Sequence, residues 1–341
     1  MTERNPVMAA TIKDIANMTG LGLATISSYL NGGSVRPKNK EKIERAIAEL
    51  HYEVNETARQ LKTNRTRAIG AVIPELNSTF CGQVLSHIED MVRKHGYAIM
   101  VCDCRSDKAR EKEAVDFLMH RRVDGLFIIP VDSTGDSLRN FKKTGKPIVI
   151  MDREIEALDC DSVIVDNRNA IRQAVSLLTE KGHRHIGMLA CPEENHTAGE
   201  RILGYRQAVA EFGLEQNEAY IYRGSDTIDS GAEGIAEMLR KFPEMTAVIA
   251  ASYRMGMGAV IGMNELGVEV PGQLSIVGFD NPQFARAVHP QLTIINQPVS
   301  RIGEEAAGIM LRRLQEKECG ETEHICLETS ILEGRSVASL Y

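Results

Sequence analysis

The chain contains 341 residues, of which 43% are hydrophobic and 26% are charged, and its formal net charge at pH 7 is −7. These values are typical of a globular protein with two or three domains. No apolar run reaches the roughly 18 residues that a membrane span requires, so we expect no membrane partner.

The cysteines indicate a reducing compartment. Seven are scattered along the chain without the spacing of a zinc site. Cys102 and Cys104 form a C-x-C pair inside an apolar run, and we interpret them as buried thiols. Residues 1–10 lack the apolar core of a signal peptide. We therefore expect a cytoplasmic protein without a metal or other cofactor.

Charge is distributed unevenly. Residues 1–68 contain 11 Lys and Arg against 7 Asp and Glu, whereas the remainder contains 29 against 40. A basic N-terminal segment on an acidic body favours contact between that segment and a polyanion.

The first elements in chain order are three predicted helices. Thr11 can cap a helix over Ile12–Met18, and Gly22 can start a second over Leu23–Leu30, which Asn31-Gly32-Gly33 ends. Pro37 suits the first turn of a third helix, Lys38–Leu50. Two interpretations stand: a helical cap on the body, or a helix-turn-helix whose second helix enters a DNA major groove.

The segment Tyr52–Gly70 follows these helices. Asn55 can cap a short helix over Glu56–Lys62, and Leu61 is apolar on a segment with four cations from Arg59 to Arg67. A linker accounts for this segment, but so does a minor-groove binder whose apolar wedge opens a base step.

The rest of the chain alternates β-rich apolar runs with amphipathic helices, which predicts parallel sheets covered by helices. Ten strands exceed one comfortable sheet, so we expect two α/β lobes with a ligand cleft at the carboxyl ends of their strands. The predicted strands are Ala68–Pro74, Tyr97–Cys104, Asp124–Pro130, Pro147–Asp152, Ser162–Asn167, His185–Pro192, Tyr220–Gly224, Ala247–Ser252, Leu274–Asp280 and Leu292–Pro298.

One segment suggests an enzyme at first sight. Met255–Gly267 resembles a dinucleotide fingerprint, but its spacing is G-x-G-x-x-x-G, and four residues separate it from the preceding strand. A pyrophosphate requires the tight turn and the helix start in register. We find no other catalytic motif and predict no catalytic residues.

The order of the motifs resembles the lac repressor/purine repressor (LacI/GalR) family of bacterial transcription regulators. "TIKDIA…G…ATIS…LNG" resembles the DNA-binding signature of that family, and "YEVNETARQL" resembles its hinge helix. Eight body segments match in family order, among them "RAIGAVIPELNSTF", "ERILGY", "SIVGFDN" and "LTIINQP".

This resemblance implies the domain organisation. An α/β fold class is expected, with a three-helix helix-turn-helix head over residues 8–53 and a hinge helix and linker over 54–67. A body similar to periplasmic binding proteins follows over 68–341, with two parallel-sheet lobes. The first lobe is expected over about 68–165 and 297–322, and the second over about 166–296 and 323–341.

The resemblance also implies a DNA-binding surface. The start of the second helix should face base edges, and the hinge leucine should enter the minor groove. Ser28 occupies a position where many members carry a long polar side chain, so we expect a half-site that depends less on guanine. The DNA-binding residues expected are Thr11, Leu23, Ala24, Thr25, Ser27, Ser28, Arg36, Asn39, Asn55, Arg59, Leu61 and Lys62.

In the cleft, the resemblance implies a small-molecule effector, sugar-like, gripped by Arg201 and Asp280. Ser252 and Tyr253 replace a common Asn-Asp pair, which argues against a simple hexose. The effector-binding residues expected are Asn77, Phe80, Asp152, Arg153, Arg201, Ser252, Tyr253 and Asp280.

The chain is therefore predicted to be a ligand-gated regulator, most simply a repressor, that binds a pseudo-palindromic double-stranded DNA operator as a homodimer. The helix Gly82–His95 of the first lobe is the expected dimer contact. Two alternatives remain open: a solute-binding protein with no DNA role, and a regulator that works without an effector or with a protein corepressor.

Overall fold

The computed structural model describes residues 10–30, 33–52, 65–155, 157–315 and 320–341. Contacts within the chain divide it into two units, residues 1–66 and residues 67–341. Among the described residues, no helix is both long enough and apolar enough to cross a membrane.

The first unit contains three helices in its described part, as the sequence predicted: α1 Ile12–Thr19, α2 Leu23–Leu30 and α3 Pro37–Glu49. Thr11 begins α1 through a capping box, because its backbone N–H and its hydroxyl both donate to the Asp14 carboxylate at 2.7 Å. Gly20 ends α1 in the left-handed conformation, with φ of 67°. The three helices enclose a small core that consists of Ile15, Ile26, Ile43 and Ala46.

The second unit begins with a lobe of alternating strands and helices, as the apolar runs predicted. Its strands are short and almost wholly apolar, and three of them are buried along nearly their full length. The elements are β1 Ala68–Ile73, α4 Thr79–Lys94, β2 Ala98–Asp103, α5 Lys108–His120, β3 Gly125–Ile128, α6 Arg139–Lys142, β4 Ile148–Met151 and β5 Asp161–Val165.

A second lobe repeats this alternation. The elements are α7 Asn167–Glu180, β6 Ile186–Ala190, α8 His196–Glu211, β7 Ile221–Arg223, α9 Ile228–Lys241, β8 Ala247–Ala250, α10 Tyr253–Glu265, β9 Ser275–Phe279, α11 Pro282–Ala287 and β10 Thr293–Asn296. All ten predicted strands are therefore confirmed within a few residues of their expected ends.

The chain then returns to both lobes with α12 Val299–Gln315, β11 His324–Leu327 and β12 Ser330–Leu332. In the described residues, the first sheet has the order β11-β5-β4-β3-β1-β2 and is parallel throughout. The second sheet has the order β12-β10-β9-β8-β6-β7 and is parallel except that β12 runs antiparallel to β10. The two sheets thus share one connectivity and each gains its last strand from the C-terminal segment.

One predicted lobe boundary is wrong. The sequence division assigned residues 323–341 to the second lobe, but β11 belongs to the first sheet, where it pairs with β5 in parallel. Two contacts of Glu323 hold this segment to the first lobe: its carboxylate pairs with Arg312 at 2.7 Å, and its backbone N–H donates to Asp161 Oδ1 at 2.9 Å. The chain therefore crosses to the second lobe after β11, at residues 328–329.

The glycine pattern that resembled a dinucleotide fingerprint lies inside α10 and serves helix packing. A Cβ on Gly258 would lie 1.9 Å from the carbonyl oxygen of Ile228, and a Cβ on Gly231 would lie 2.4 Å from that of Met255. The backbones of α9 and α10 approach this closely because both helices carry glycine at the crossing. The helix already begins at Tyr253, so the described segment contains no glycine-rich phosphate turn before the helix.

We expect Gly258→Ala to lower the free energy of unfolding by about 2 kcal/mol or more, because the added methyl group must push two packed backbones apart. Urea unfolding of the full chain measures this change. Gly308→Ala in α12 is the control, since the nearest atom to its Cβ is the end of the flexible Arg312 side chain at 3.4 Å. That variant should be neutral or slightly stabilising, and equal losses for both variants would contradict the packing role.

Candidate functional site

The first candidate surface is the exposed face of α2 in the N-terminal unit. Leu23 is 46% exposed, and Ala24 and Ser28 are also exposed, whereas Ile26 on the opposite face is fully buried. The Tyr29 hydroxyl donates to the Glu44 carboxylate of α3 at 2.8 Å. The second helix therefore presents a small, weakly polar face that is fixed from behind by the core.

The remaining predicted DNA-binding residues fall into three groups. Thr25 and Ser27 are half-buried beside that face, and Thr11 is occupied by its capping box. Arg36 is exposed at the N-cap of α3, where Asn39 follows in the first turn. The other predicted contacts lie outside the described residues: Asn55, Arg59, Leu61 and Lys62.

The second candidate site is the cleft between the two lobes of the body, where the carboxyl ends of strands from both sheets meet. Glu75 follows β1, Asp152 follows β4, Asp226 follows β7, Ser252 follows β8 and Asp280 follows β9, and all of them line one cavity. This is the position expected for a ligand in parallel α/β sheets.

Arg201 is the buried centre of this cleft, with 8% of its surface exposed. Its Nε donates to Asn167 Oδ1 at 2.7 Å, and its Nη1 donates to the carbonyl oxygen of Ala251 at 2.6 Å. The guanidinium lies 3.7 Å from the centroid of the Phe279 ring. Burial lowers the pKa of Arg201, and nearby Asp280 opposes that change. A guanidinium keeps its proton in proteins, so Arg201 is a cation held in place by these contacts.

Asp280 lies in the left-handed region, with φ of 58°, a conformation that aspartate tolerates better than most residues. Its carboxylate accepts hydrogen bonds from the side-chain Nε2 of Gln297 at 2.6 Å and from the Gln297 backbone at 3.2 Å. Burial raises the pKa of Asp280 to about 6, against the opposing influence of Arg201. The carboxylate is therefore a hydrogen-bond acceptor that Gln297 fixes in position, and it loses its proton at a higher pH than an ordinary aspartate.

Gln297 brings an unsatisfied group to the same place. It is 3% exposed, and its Oε1 has no hydrogen-bond partner in the described chain. Since Nε2 is committed to Asp280, Oε1 is a buried acceptor without a partner on a residue that lines the cavity.

Asp152 and Arg153 occupy the first-lobe side of the cleft. Asp152 is also left-handed, with φ of 67°. Arg153 Nη1 donates to the carbonyl oxygen of Pro130 at 2.9 Å, and its Nε lies 3.5 Å from Asp152 Oδ2. The two charges therefore form a loose ion pair, and the buried Nε of Arg153 has no hydrogen-bond partner in the described chain.

Residues at the start of α10 line the second-lobe side of the cleft. Ser252 caps this helix, accepts from the backbone N–H of Met255 at 3.2 Å and donates to Asp226 at 2.7 Å. Arg254 reaches across the cleft, where it pairs with Glu75 and donates to Asn77 Oδ1 at 3.2 Å. The two lobes are therefore linked directly at the cleft.

The structure brings nearly all of the predicted effector residues together. Phe80, Asp152, Arg153, Arg201, Ser252, Tyr253 and Asp280 line the cavity. Asn77 reaches it through Arg254. Sequence reasoning missed Asn167, Asp226, Gln297 and the ion pair Glu75–Arg254. Gln297 had a visible signal in its "INQP" motif, whereas the others depend on contacts between distant segments.

A helix-turn-helix unit and a two-lobed body with a polar cleft, in one chain, define a ligand-responsive DNA-binding regulator. Comparisons with known proteins agree with this class. Residues 11–55 match the model of bacterial regulatory proteins of the lacI family. Residues 66–328 match that of periplasmic binding proteins and the sugar-binding domain of the LacI family.

Individual relatives cover nearly the whole chain. The HTH-type transcriptional repressor PurR of Pectobacterium carotovorum is 31% identical over 96% of this chain and 97% of its own length. The lac repressor dimer bound to operator and the anti-inducer ONPF is 26% identical, with a TM-score of 0.85 over 97% of this chain and 99% of its own.

A third similar structure is the complex of the transcriptional regulator CelR with cellobiose. It is 29% identical, with a TM-score of 0.73 over 96% of this chain and 99% of its own. The chain belongs to the LacI family of bacterial regulatory proteins. It is accordingly a transcriptional regulator with a DNA-binding helix-turn-helix and a sugar-binding effector domain.

Asp280 makes stability depend on pH. Its folded-state pKa of about 6 lies above the ordinary 3.8, so the folded protein binds this proton more tightly than the unfolded chain does. Its favourable contribution is complete below pH 4 and is lost as the pH rises through 6. Asp280→Asn removes this titration. The free energy of unfolding of the wild type, relative to that variant, should therefore fall by about 2–3 kcal/mol between pH 4 and pH 7.

Urea unfolding at pH 4, 5, 6 and 7 measures the difference. Asp229→Asn removes an exposed carboxylate from the first turn of α9 and is the control. Its free energy of unfolding should change with pH as that of the wild type does. If the free energy of unfolding of Asp280→Asn changed with pH as that of the wild type does, the raised pKa of Asp280 would be contradicted.

Proposed function

We propose that this protein is a transcriptional repressor that binds a pseudo-palindromic operator as a homodimer and releases or grips it in response to a sugar-like effector in the cleft. The observation that supports this most strongly is the buried Arg201 beside Asp280 in a cleft of a chain that also carries an exposed recognition helix. We assign such a protein to the cytoplasm, where its DNA operator is located.

Base reading is assigned to the exposed face of α2. Leu23 and Ala24 offer apolar contact to thymine methyl groups, and Ser28 is too short for the bidentate contact that arginine makes with guanine. Arg36 and Asn39 at the start of α3, with Thr11, are assigned to the DNA backbone. Asn55, Arg59, Leu61 and Lys62 stay predictions.

Effector binding is assigned to the cleft. Arg201 and Asp280 supply fixed donors and acceptors for hydroxyl groups, and Asp152 and Arg153 supply a second set from the other lobe. Phe80 and Tyr253 supply aromatic surface. The cellobiose in the similar CelR structure supports a sugar ligand.

The dimer contact is assigned to the first lobe. β2 is the edge strand of its sheet, and its apolar sequence is unusually exposed, with Val101 43% accessible. An open apolar edge of this kind invites a partner. Helix α4 lies next to β2 and matches the helix that the resemblance implied. We assign no catalytic role and no cofactor to the protein, in line with relatives that are transcriptional repressors.

Ser28 should set base preference. Selection from a randomised duplex pool at low salt should give the wild type a half-site without a strict guanine opposite residue 28. Ser28→Arg should acquire a guanine preference worth about 1–3 kcal/mol. Ser34→Arg adds the same charge at an exposed position after α2 and should raise affinity for all sequences alike. A strict guanine selected by the wild type at that position would contradict the assignment.

Arg36 should report its phosphate contact through salt dependence. With six to ten phosphate contacts, affinity for the selected duplex falls by about 10³–10⁵ between 50 and 200 mM salt. Arg36→Gln should reduce the logarithmic slope by about one and weaken all sequences equally. Arg240→Gln, on the exposed face of α9, should leave the slope unchanged. Fluorescence anisotropy titrations measure both, and an unchanged slope for Arg36→Gln would exclude the contact.

A further inference from the structure

The charges in the cleft are already paired with one another. Arg254 bonds Glu75 and Asn77 of the first lobe, and its Nη1 lies 3.8 Å from Asp226 of the second. These contacts raise the pKa of Arg254, the hydrogen bond with Glu75 most of all. The guanidinium of Arg254 is therefore held by carboxylates from both lobes and is not free for a ligand.

The charged side chains that line the cleft are negative in sum. Three arginines and four carboxylates line the cavity, and none of its described lining residues is a lysine. The residues are Glu75, Asp152, Arg153, Arg201, Asp226, Arg254 and Asp280. An anionic ligand would meet a lining with one more carboxylate than arginine, and two of the three arginines, Arg153 and Arg254, are already paired with carboxylates. A neutral ligand meets no such barrier.

The bare acceptor on Gln297 identifies what the ligand must donate. A buried amide oxygen without a partner is unfavourable, and a hydroxyl or N–H group of a ligand would satisfy it. A phosphate or a carboxylate has only acceptor oxygens at neutral pH and would face this oxygen and the Asp280 carboxylate unfavourably.

The cleft also continues into an adjoining groove. The groove shares Phe80, Tyr253, Asp280 and Gln297 with the cleft, so the two cavities meet at these four residues. Beyond them, the groove is lined by four amides, two hydroxyls, one imidazole and three apolar side chains. These are Gln83, Asn281, Gln283 and Asn296, Thr79 and Ser300, His87, and Pro282, Pro298 and Val299. Such a lining suits a second hydroxyl-rich ring, with Phe80 and Tyr253 at the junction.

We propose that the effector is an uncharged, hydroxyl-rich molecule of two rings, a disaccharide or glycoside, that spans the cleft and the groove and donates a hydroxyl to Gln297 Oε1. The Glu75–Arg254 ion pair excludes anionic analogues by keeping the guanidinium occupied. This proposal rests on the proposed effector function and specifies its ligand class.

The test is isothermal titration calorimetry on the full chain with matched probes. The pairs are cellobiose and cellobiouronate, lactose and lactose 6′-phosphate, and trehalose and trehalose 6-phosphate, in each of which the anion keeps both rings, with glucose and galactose as single rings. We expect at least one neutral disaccharide to bind at least tenfold more tightly than both its anionic partner and the single rings. An anionic member that binds as tightly as its neutral partner overturns the proposal, as does a panel in which no neutral disaccharide binds.

Two variants test the mechanism on the neutral probe that binds. Glu75→Gln frees Arg254, so the ratio of the affinity for the neutral probe to that for its anionic partner should fall at least fivefold. Glu265→Gln is the control, at the exposed far end of α10, and should leave this ratio unchanged. Gln297→Met should weaken the neutral disaccharide at least tenfold while thermal unfolding confirms the fold. An unchanged ratio in Glu75→Gln overturns the exclusion mechanism, and unchanged affinity in Gln297→Met overturns the assigned acceptor.

Binding of the selected duplex is measured on the same samples without sugar. Retained DNA binding with no response to a neutral disaccharide overturns the ligand class alone. Loss of DNA binding by the wild type overturns the proposed function itself.

Discussion

The cleft depends on one buried cation. Arg201 is fixed by the Asn167 side chain at the start of α7, by the carbonyl oxygen of Ala251 after β8 and by the Phe279 ring of β9. A guanidinium in this position is stable only while all of these partners are present, since an unpaired buried charge costs several kcal/mol. All of these contacts lie within the second lobe, so the fold of that lobe itself fixes the position of Arg201.

The sequence predicted much of this body because its strands are short β-branched runs between amphipathic helices, a pattern that local propensity and burial both favour. β11 and β12 were missed for the opposite reason. They are three or four residues long, partly exposed and interrupted by polar residues such as His324 and Ser330, and they exist because β5 and β10 offer them an edge. The lobe boundary was misplaced because pairing with β5, rather than any local signal, decides which sheet β11 joins.

The residues of the cleft also divide into those that the sequence could identify and those that it could not. Arg201 and Asp280 stand in motifs that the family resemblance could identify, and the carboxyl ends of predicted strands located the cleft. Arg254 and Glu75 could not be found, because they are 179 positions apart in sequence, and their contact arises only when the two lobes face each other. Each looks like an ordinary surface charge in its own segment. The ion pair to which we assign ligand selectivity is thus less visible in the sequence than Arg201 and Asp280, which stand in recognisable motifs.

The crossovers between the lobes explain how a ligand can change the relation of one lobe to the other. Asn167 follows the first crossover and bonds Arg201, and Gln297 lies in the second and bonds Asp280. A ligand that touches Arg201 and Asp280 is therefore one hydrogen bond from two of the connections between the lobes. Allosteric coupling of about 1–3 kcal/mol requires only that a few such bonds differ between two lobe arrangements. The Glu75–Arg254 pair spans the lobes as well and stabilises one arrangement of them. An effector in this cleft would act by the difference between its contacts in two lobe arrangements rather than by its total affinity.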